Sequence, residues 1–301
     1  LSLAISIVNA LHQVHQQHLI HKDINPSNIL WNPQTQQVKL IDFGISTQLS
    51  REQSALSNPE VLEGTLRYIS PEQTGRMNRA VDYRTDFYSL GVTFYQMFTG
   101  KLPFSSEDAM ELVHAHLAKT PSLPHQVNSV LPEVLSQIIL KLMAKTAEER
   151  YQSTLGLKED LQRCLAQLHS QGKIETFDIA QSDLSEQFQI PQKLYGREKE
   201  VEQLLETFAQ VSEGATELLL VSGYSGIGKS ALVHEVHRPM VAKRGYFIEG
   251  KFDQFKRDIP YISLIQAFQE FVRQILTESE ADIEHWKQRL LEALGSNGAV
   301  I

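Results

Sequence analysis

Cysteine is almost missing from these 301 residues: Cys164 is the only one. No intrachain disulfide can form, and a reducing, cytoplasmic compartment is expected. Long apolar runs are missing too. Nothing approaches the roughly 18 residues that a membrane-crossing helix needs, so no span is expected in this segment. Blocks of one charge are also lacking, because 28 Lys and Arg are interspersed among 36 Asp and Glu for a formal net charge of -8. That balance argues against a nucleic-acid partner, whereas a small nucleotide needs only a local site. There is no initiator Met and no leader with a basic start and a cleavage site. Leu1-Ser2-Leu3 and Ala299-Val300-Ile301 read as cut ends, so the chain is expected to be a piece of something longer.

What is present suffices for globular cores, since 42 % of the residues are hydrophobic, and the length suggests two domains. Leu3, Ile7, Leu11 and Val14 recur at helical spacing and predict a helix over 3–18. Ile29-Leu30-Trp31 and Val38-Lys39-Leu40-Ile41 flank the turn-forming Asn32-Pro33-Gln34-Thr35 and predict a hairpin. Residues 42–72 keep no period and read as a long irregular segment, a kind that is usually functional in compact domains. Phe87, Leu90, Phe94 and Met97 predict a helix over 86–98, closed by Gly100; further helices fit 107–118, 132–144 and 154–169.

Residues 170–189, rich in Gln, Ser, Asp and Glu, read as a linker. Beyond them come a helix over 198–210, a strand at Leu218–Val221, a Gly-rich turn and a helix over 229–237. A strand at Tyr246–Ile248 and helices near 261–276 and 280–294 follow. Strand, loop, helix and strand in that order predict a βαβ unit with a parallel sheet.

The first chemical site is His21-Lys22-Asp23-Ile24-Asn25-Pro26-Ser27-Asn28, followed nineteen residues after Asp23 by Asp42-Phe43-Gly44. Phosphoryl transfer needs a hydroxyl positioned in line and cations against the phosphate oxygens. Asp23 is able to accept a hydroxyl proton, and Asn28 and Asp42 offer hard oxygen ligands suited to Mg²⁺. Loops at the ends of a hairpin let rigid strands hold these groups.

These residues resemble the catalytic loop and metal-binding motif of protein kinases. The resemblance implies Asp23 as catalytic base, Asn28 and Asp42 as metal ligands, and His21 as a structural residue beneath the site. Gly64-Thr65-Leu66-Arg67-Tyr68-Ile69-Ser70-Pro71-Glu72 resembles the end of a kinase activation segment, with Ser70 where Ala is usual. By the same resemblance Thr65 contacts the catalytic Asp and helps select the hydroxyl acceptor. Asp86, opening Asp86-Phe87-Tyr88-Ser89-Leu90-Gly91, ties down the catalytic-loop backbone, and Arg150 forms a buried ion pair with Glu72. The likeness covers roughly residues 1–165, the kinase C-terminal lobe.

Three departures stand out. Lys22 replaces the usual Arg, a point charge in place of a bidentate fork. Asn25 occupies the place of a Lys that touches the transferred phosphate, and one charge-stabilising donor of that sort is worth roughly 3–4 kcal/mol. No Gly-rich loop, strand Lys or pairing Glu precedes Leu1, so this stretch by itself is not expected to bind ATP productively in the kinase site.

The second site, Gly223-Tyr224-Ser225-Gly226-Ile227-Gly228-Lys229-Ser230, fits G-x-x-x-x-G-K-[ST]. Gly223, Gly226 and Gly228 let backbone amides fold around a phosphate, Lys229 reaches the terminal phosphates, and Ser230 can ligate Mg²⁺. Leu194-Tyr195-Gly196-Arg197-Glu198 resembles the segment that opens AAA-type signalling ATPase domains, where it borders the adenine. No acidic Walker B strand can be placed.

The expected fold is therefore a mostly α protein-kinase C-terminal lobe with short β hairpins over 1–169 and a linker over 170–189. The N-terminal part of an α/β P-loop NTPase domain with a parallel sheet follows over 190–301, both domains truncated. The order is similar to large bacterial signalling proteins in which a Ser/Thr kinase precedes an AAA-type module and further signalling domains of the same chain. ATP and Mg²⁺ are the implied cofactors, and a protein Ser or Thr is the implied acceptor. Ser54 and Ser57 lie where activation loops are often phosphorylated. Two other readings fit the same residues: a pseudokinase docking platform, favoured by Asn25, and a nucleotide-gated switch in which the kinase part only regulates. His12, His15 and His18, three apart without an acidic or Cys ligand nearby, read as a solvated helix edge. His114 and His116 face different directions, and Glu148 and Glu149 read as helix-end charge.

Overall fold

A computed structural model describes residues 1–48, 66–74, 81–106, 108–184, 196–224, 226–236, 239–240, 243, 245–250, 252, 261–276 and 280–295. The chain divides into two compact units, Leu1–Arg238 and Pro239–Ile301.

The first unit opens on helix α1 (Ser2–Gln16), which buries Ala4, Ile7, Val8 and Leu11 along one stripe. That spacing is the helical signature read from the sequence. Strand β1 (Leu19–Ile20) follows, then hairpin strands β2 (Ile29–Asn32) and β3 (Gln37–Leu40), antiparallel with Ile29 opposite Leu40. Asn32 closes the turn by accepting from the backbone amides of Gln34 and Thr35. β1 pairs antiparallel with β4 (Thr47–Gln48). Two-residue strands carry no readable period, and this pair has no signal in the sequence.

Helix α2 (Arg84–Thr99) is the centre of the core, buried from Arg84 to Tyr95 and closed by Gly100 at φ 73°. Around it lie α3 (Ala109–Ala118), the single turn α4 (Pro124–Val127) and α5 (Glu133–Leu142). α5 comes so close to α2 that a Cβ on Gly91 would meet Leu142 and Met143 at 2.8 Å. Asp108 caps α3 by accepting from the amides of Met110 and Glu111. Helix α6 (Thr154–Gln171) packs against α1, with Ser153 as its N-cap and Gly172 at φ 70° as its stop.

Past Gly172, within the stretch expected as a linker, the backbone keeps contact with α6. The Asp183 carboxylate accepts from Gln152 N at 2.7 Å, Ser153 N at 2.8 Å and Ser153 Oγ at 2.9 Å. Ala180 N donates to Asp160 at 2.8 Å, and the Arg163 guanidinium sits 4.2 Å from the Phe177 ring centre. Helices α7 (Glu198–Ser212) and α8 (Lys229–His234) complete the described part of this unit and touch each other.

The expected parallel sheet is not found among the described residues: Leu218–Val221 and Tyr246–Ile248 are not strands. Neither run forms a ladder among the described residues, and a strand needs one; Leu218 and Leu220 are 85 % and 84 % exposed. Both described sheets are two-stranded and antiparallel.

The second unit contains α9 (Ile262–Ile275) and α10 (Glu280–Leu294). Tyr246, Phe271 and Trp286 meet edge to face with ring centres 5.2–5.6 Å apart, and Trp286 Nε1 donates to the Tyr246 hydroxyl. That geometry suits the quadrupoles of aromatic rings. Among the described residues no helix is long and apolar enough to cross a membrane.

Candidate functional site

The loop between β1 and β2 is held from below by α2. Asp86, wholly buried, accepts from Lys22 N at 2.7 Å, His21 N at 3.0 Å and His15 Nε2 at 2.8 Å. Backbone donors on a buried carboxylate satisfy its charge and fix the loop that carries them. Thr93 of the same helix donates to Ile24 O at 3.2 Å, a second anchor about two turns along α2.

His21, fully buried, joins the two sequence motifs. Its Nδ1 accepts from Asp23 N at 3.3 Å, which assigns the remaining proton to Nε2, 3.0 Å from Ile41 O. Its ring packs 4.6 Å from the Phe43 ring. The Asp23 loop and the Asp42-Phe43-Gly44 segment are therefore fixed to one imidazole.

The Asp23 carboxylate lies between two side-chain amides. Asn25 Nδ2 donates to Oδ1 and Asn28 Nδ2 to Oδ2, both at 2.8 Å. Lys22 at φ 68° and Asp42 at φ 63° are left-handed without being glycine. Such residues cost about 1–3 kcal/mol each and gather at functional sites. Asp42 is exposed, its Oδ1 accepting weakly from Gly44 N at 3.3 Å. Burial lowers the Lys22 ammonium pKa, with Asp86 partly offsetting it.

Beside this loop, Glu72 and Arg150 form a bidentate pair at 2.6 and 2.8 Å, and Thr85 Oγ1 donates to the same carboxylate at 2.7 Å. Arg150 also donates to the carbonyls of Arg84 and Ala144, and its guanidinium lies 5.0 Å from the Tyr88 ring centre. Burial acts to raise the Glu72 carboxyl pKa, and the Arg150 charge together with the hydrogen bonds from Arg150, Thr85 and the backbone more than offsets this, leaving it below the usual range. Gln73 Nε2 donates to Lys22 O at 2.9 Å and ties the end of the activation-type segment to the catalytic-type loop. Thr65, with Gly64, Ser54 and Ser57, lies outside the described residues.

At the Gly-rich loop, Gly226 and Gly228 adopt φ 81° and 93°, a backbone that favours glycine, and Gly228 precedes α8. Lys229 Nζ folds onto its own loop, donating to Gly223 O at 2.9 Å and Tyr224 O at 2.8 Å. Arg197 Nη2 reaches Ile227 O at 3.2 Å, bringing the Gly-Arg-Glu segment against the loop. Ser230 is exposed, and Ser225 is outside the described residues.

The solvated-edge reading of the three histidines fails for His15, which is 7 % exposed, bonded to Asp86 and set edge-on against Tyr83 and Phe87. A helical period cannot reveal that a flank faces a carboxylate 71 positions away. His12 bonds Thr154 at 2.7 Å, and His18 alone is exposed. Cys164 is buried, and burial, with Asp160 beside it, pushes its thiol up to about 12, which disfavours the reactive thiolate.

Residues 2–163 match the model of the protein kinase domain, and residues 193–300 that of the AAA ATPase domain. Over 257 residues, 79 % of the chain, the sequence is 41 % identical to the hybrid signal transduction histidine kinase G of Dictyostelium discoideum. It is 34 % identical over 157 residues, 52 % of the chain, to the probable serine/threonine-protein kinase PknB of Bifidobacterium longum. A similar 34 % over 154 residues, 51 % of the chain, relates it to serine/threonine-protein kinase PknB of Mycobacterium tuberculosis. The chain spans 7 % of the first relative's length, 22 % of the second's and 24 % of the third's.

Proposed function

Because this chain belongs to the protein kinase family, we propose that its parent protein transfers the γ-phosphate of ATP to a Ser or Thr hydroxyl of a protein substrate. Asp23 is the base. The acceptor hydroxyl oxygen forms a bond to the γ-phosphorus as the bond to the β-phosphate oxygen breaks, ADP leaves, and the hydroxyl proton passes to the Asp23 carboxylate. Mg²⁺ fits the donor set: Asn28, whose amide nitrogen is held by Asp23, offers its carbonyl oxygen, and Asp42 its carboxylate. When bound, such an ion neutralises charge on the phosphate oxygens. Thr65 is proposed beside the acceptor.

The observation that supports this most is the shared support of the two motifs, with Asp86 holding the Asp23 loop and His21 joining it to Ile41 and Phe43. In the same proposal residues 1–169 form the kinase lobe, 170–189 lead onward, and 190–301 begin an AAA-type module. That module binds ATP through Gly223, Gly226, Gly228 and Lys229, with Ser230 toward the metal. The partners are a protein substrate and further signalling domains of the same chain.

The full-length protein with γ-labelled ATP is expected to yield phosphoserine or phosphothreonine, and Asp42→Asn to abolish it. Absence of any transfer by the unmutated protein would favour a docking platform over an enzyme.

A further inference from the structure

Asn25 stands where the family resemblance leads one to expect a cation, and its carboxamide is engaged within the loop itself. Oδ1 accepts from Ser27 N at 2.9 Å, capping the 3-10 turn Pro26–Asn28. Nδ2 donates to Asp23 Oδ1 at 2.8 Å and to the Asp23 carbonyl at 3.3 Å. On the opposite side Asn28 Nδ2 donates to Asp23 Oδ2 at 2.8 Å and to the same carbonyl at 2.9 Å. The two amides thus grip one residue in parallel: each takes one carboxylate oxygen, and both share the carbonyl. Asn25 is 8 % exposed and Asn28 7 %, so water competes little for these bonds.

A carboxylate with a single donor keeps rotation about its last bond. Bonded at both oxygens by groups fixed to the same backbone turn, it has one orientation. Each oxygen accepts more than one hydrogen bond, so the grip leaves capacity for an incoming hydroxyl. A misplacement of about 1 Å at a reacting group can cost on the order of a hundredfold in rate.

We propose that Asn25 is a positioning residue for the base: with Asn28 it fixes the Asp23 carboxylate, and it leaves neutralisation of the transferred phosphate to other groups. The inference rests on the kinase reading of this site. It also gives the departure at position 25 a use that a docking platform does not require.

Two substitutions separate positioning from capping. Asn25→Ser keeps an oxygen that caps Ser27 N, because Ser is as good an N-cap as Asn, but it is too short to donate to Asp23 at the same time. Asn25→Lys returns a donor within reach of Asp23 and loses the cap. Steady-state kinetics of the full-length protein with ATP and a Ser/Thr protein substrate are expected to show kcat lowered roughly 10- to 100-fold in Asn25→Ser. KM for ATP stays within about twofold and the melting temperature is nearly unchanged, because uniform binding and the cap are kept. Asn25→Lys recovers most of kcat while melting a few degrees lower. Unchanged kcat in Asn25→Ser, or Asn25→Lys as slow as Asn25→Ser, would overturn the positioning role and leave the kinase reading intact. An inactive wild-type protein would overturn both, so the two failures are distinguishable.

Discussion

Asp183 fills the space that a side chain on Gly156 would need: a Cβ there would lie 2.6 Å from the Asp183 carboxylate and 2.8 Å from its Cα. Gly156 belongs to the first turn of α6, where an alanine ordinarily stabilises a helix by up to about 1 kcal/mol. The contact reverses that sign. Gly156→Ala is expected to displace residues 173–184 and strip their bonds from Gln152 and Ser153. Unmade bonds to such groups cost about 1–3 kcal/mol each, less whatever water restores. Thermal melting and limited proteolysis check this: a lower melting temperature and new cleavage within 173–184 are expected. A higher melting temperature with unchanged cleavage would show that Asp183 is not docked on α6.

The Glu72–Arg150 pair is buried on both sides, so removing one partner leaves an uncompensated charge. Glu72→Gln is expected to cost about 3–5 kcal/mol in denaturant unfolding, and a double replacement by apolar residues less than either single one. The folded-state carboxyl pKa lies below its unfolded value. Its stabilisation is therefore fully present above the unfolded value near 4.3 and is lost as pH falls through the lower, folded one. Glu72→Gln should remove that acid limb. An unaltered profile would contradict the pairing.

His116 sets a second pH window. It is fully buried against Tyr88 and Phe104, and burial followed by the Lys145 charge pushes its pKa down to about 3. The folded state thus holds it neutral. Its contribution is complete above the unfolded pKa near 6.5 and falls with decreasing pH at up to about 1.4 kcal/mol per unit until the folded value is reached. Unfolding free energies measured from pH 7 to 4 should decline less steeply in His116→Gln. Equal slopes would mean that His116 does not titrate between the two states.

The parts of the fold that repeat a period were legible in the sequence, and those that depend on a distant partner were not. Leu3, Ile7 and Leu11 announce α1, and Asn32 announces the β2–β3 turn, because local spacing alone determines them. The Glu72–Arg150 pair and the Asp86 anchor followed from the family motif, not from spacing. His15 escaped, since its partner is remote in the chain. His18 shows a smaller surprise, holding φ 56° after α1 where glycine would be easier. The stretch 173–184 reads as linker from its polar composition, and composition does not show that Asp183 accepts from the backbone amides of Gln152 and Ser153. Leu218–Val221 has a strand's composition without a ladder, and composition cannot supply the neighbour. Asn25 read as a lost cation; only the geometry shows its amide on Asp23.

Transfer to protein is proposed for the kinase lobe and not for the Gly-rich loop. Phosphate incorporation into protein Ser or Thr should be measured for the full-length chain unmutated, with Asp23→Asn and with Lys229→Ala. Loss of a general base costs about 10²–10⁴-fold, so Asp23→Asn should fall by at least that order. Lys229→Ala, which removes the ammonium now resting on Gly223 and Tyr224, should keep transfer while losing nucleotide binding at residues 223–230. Transfer that survives Asp23→Asn and vanishes with Lys229→Ala would contradict the account.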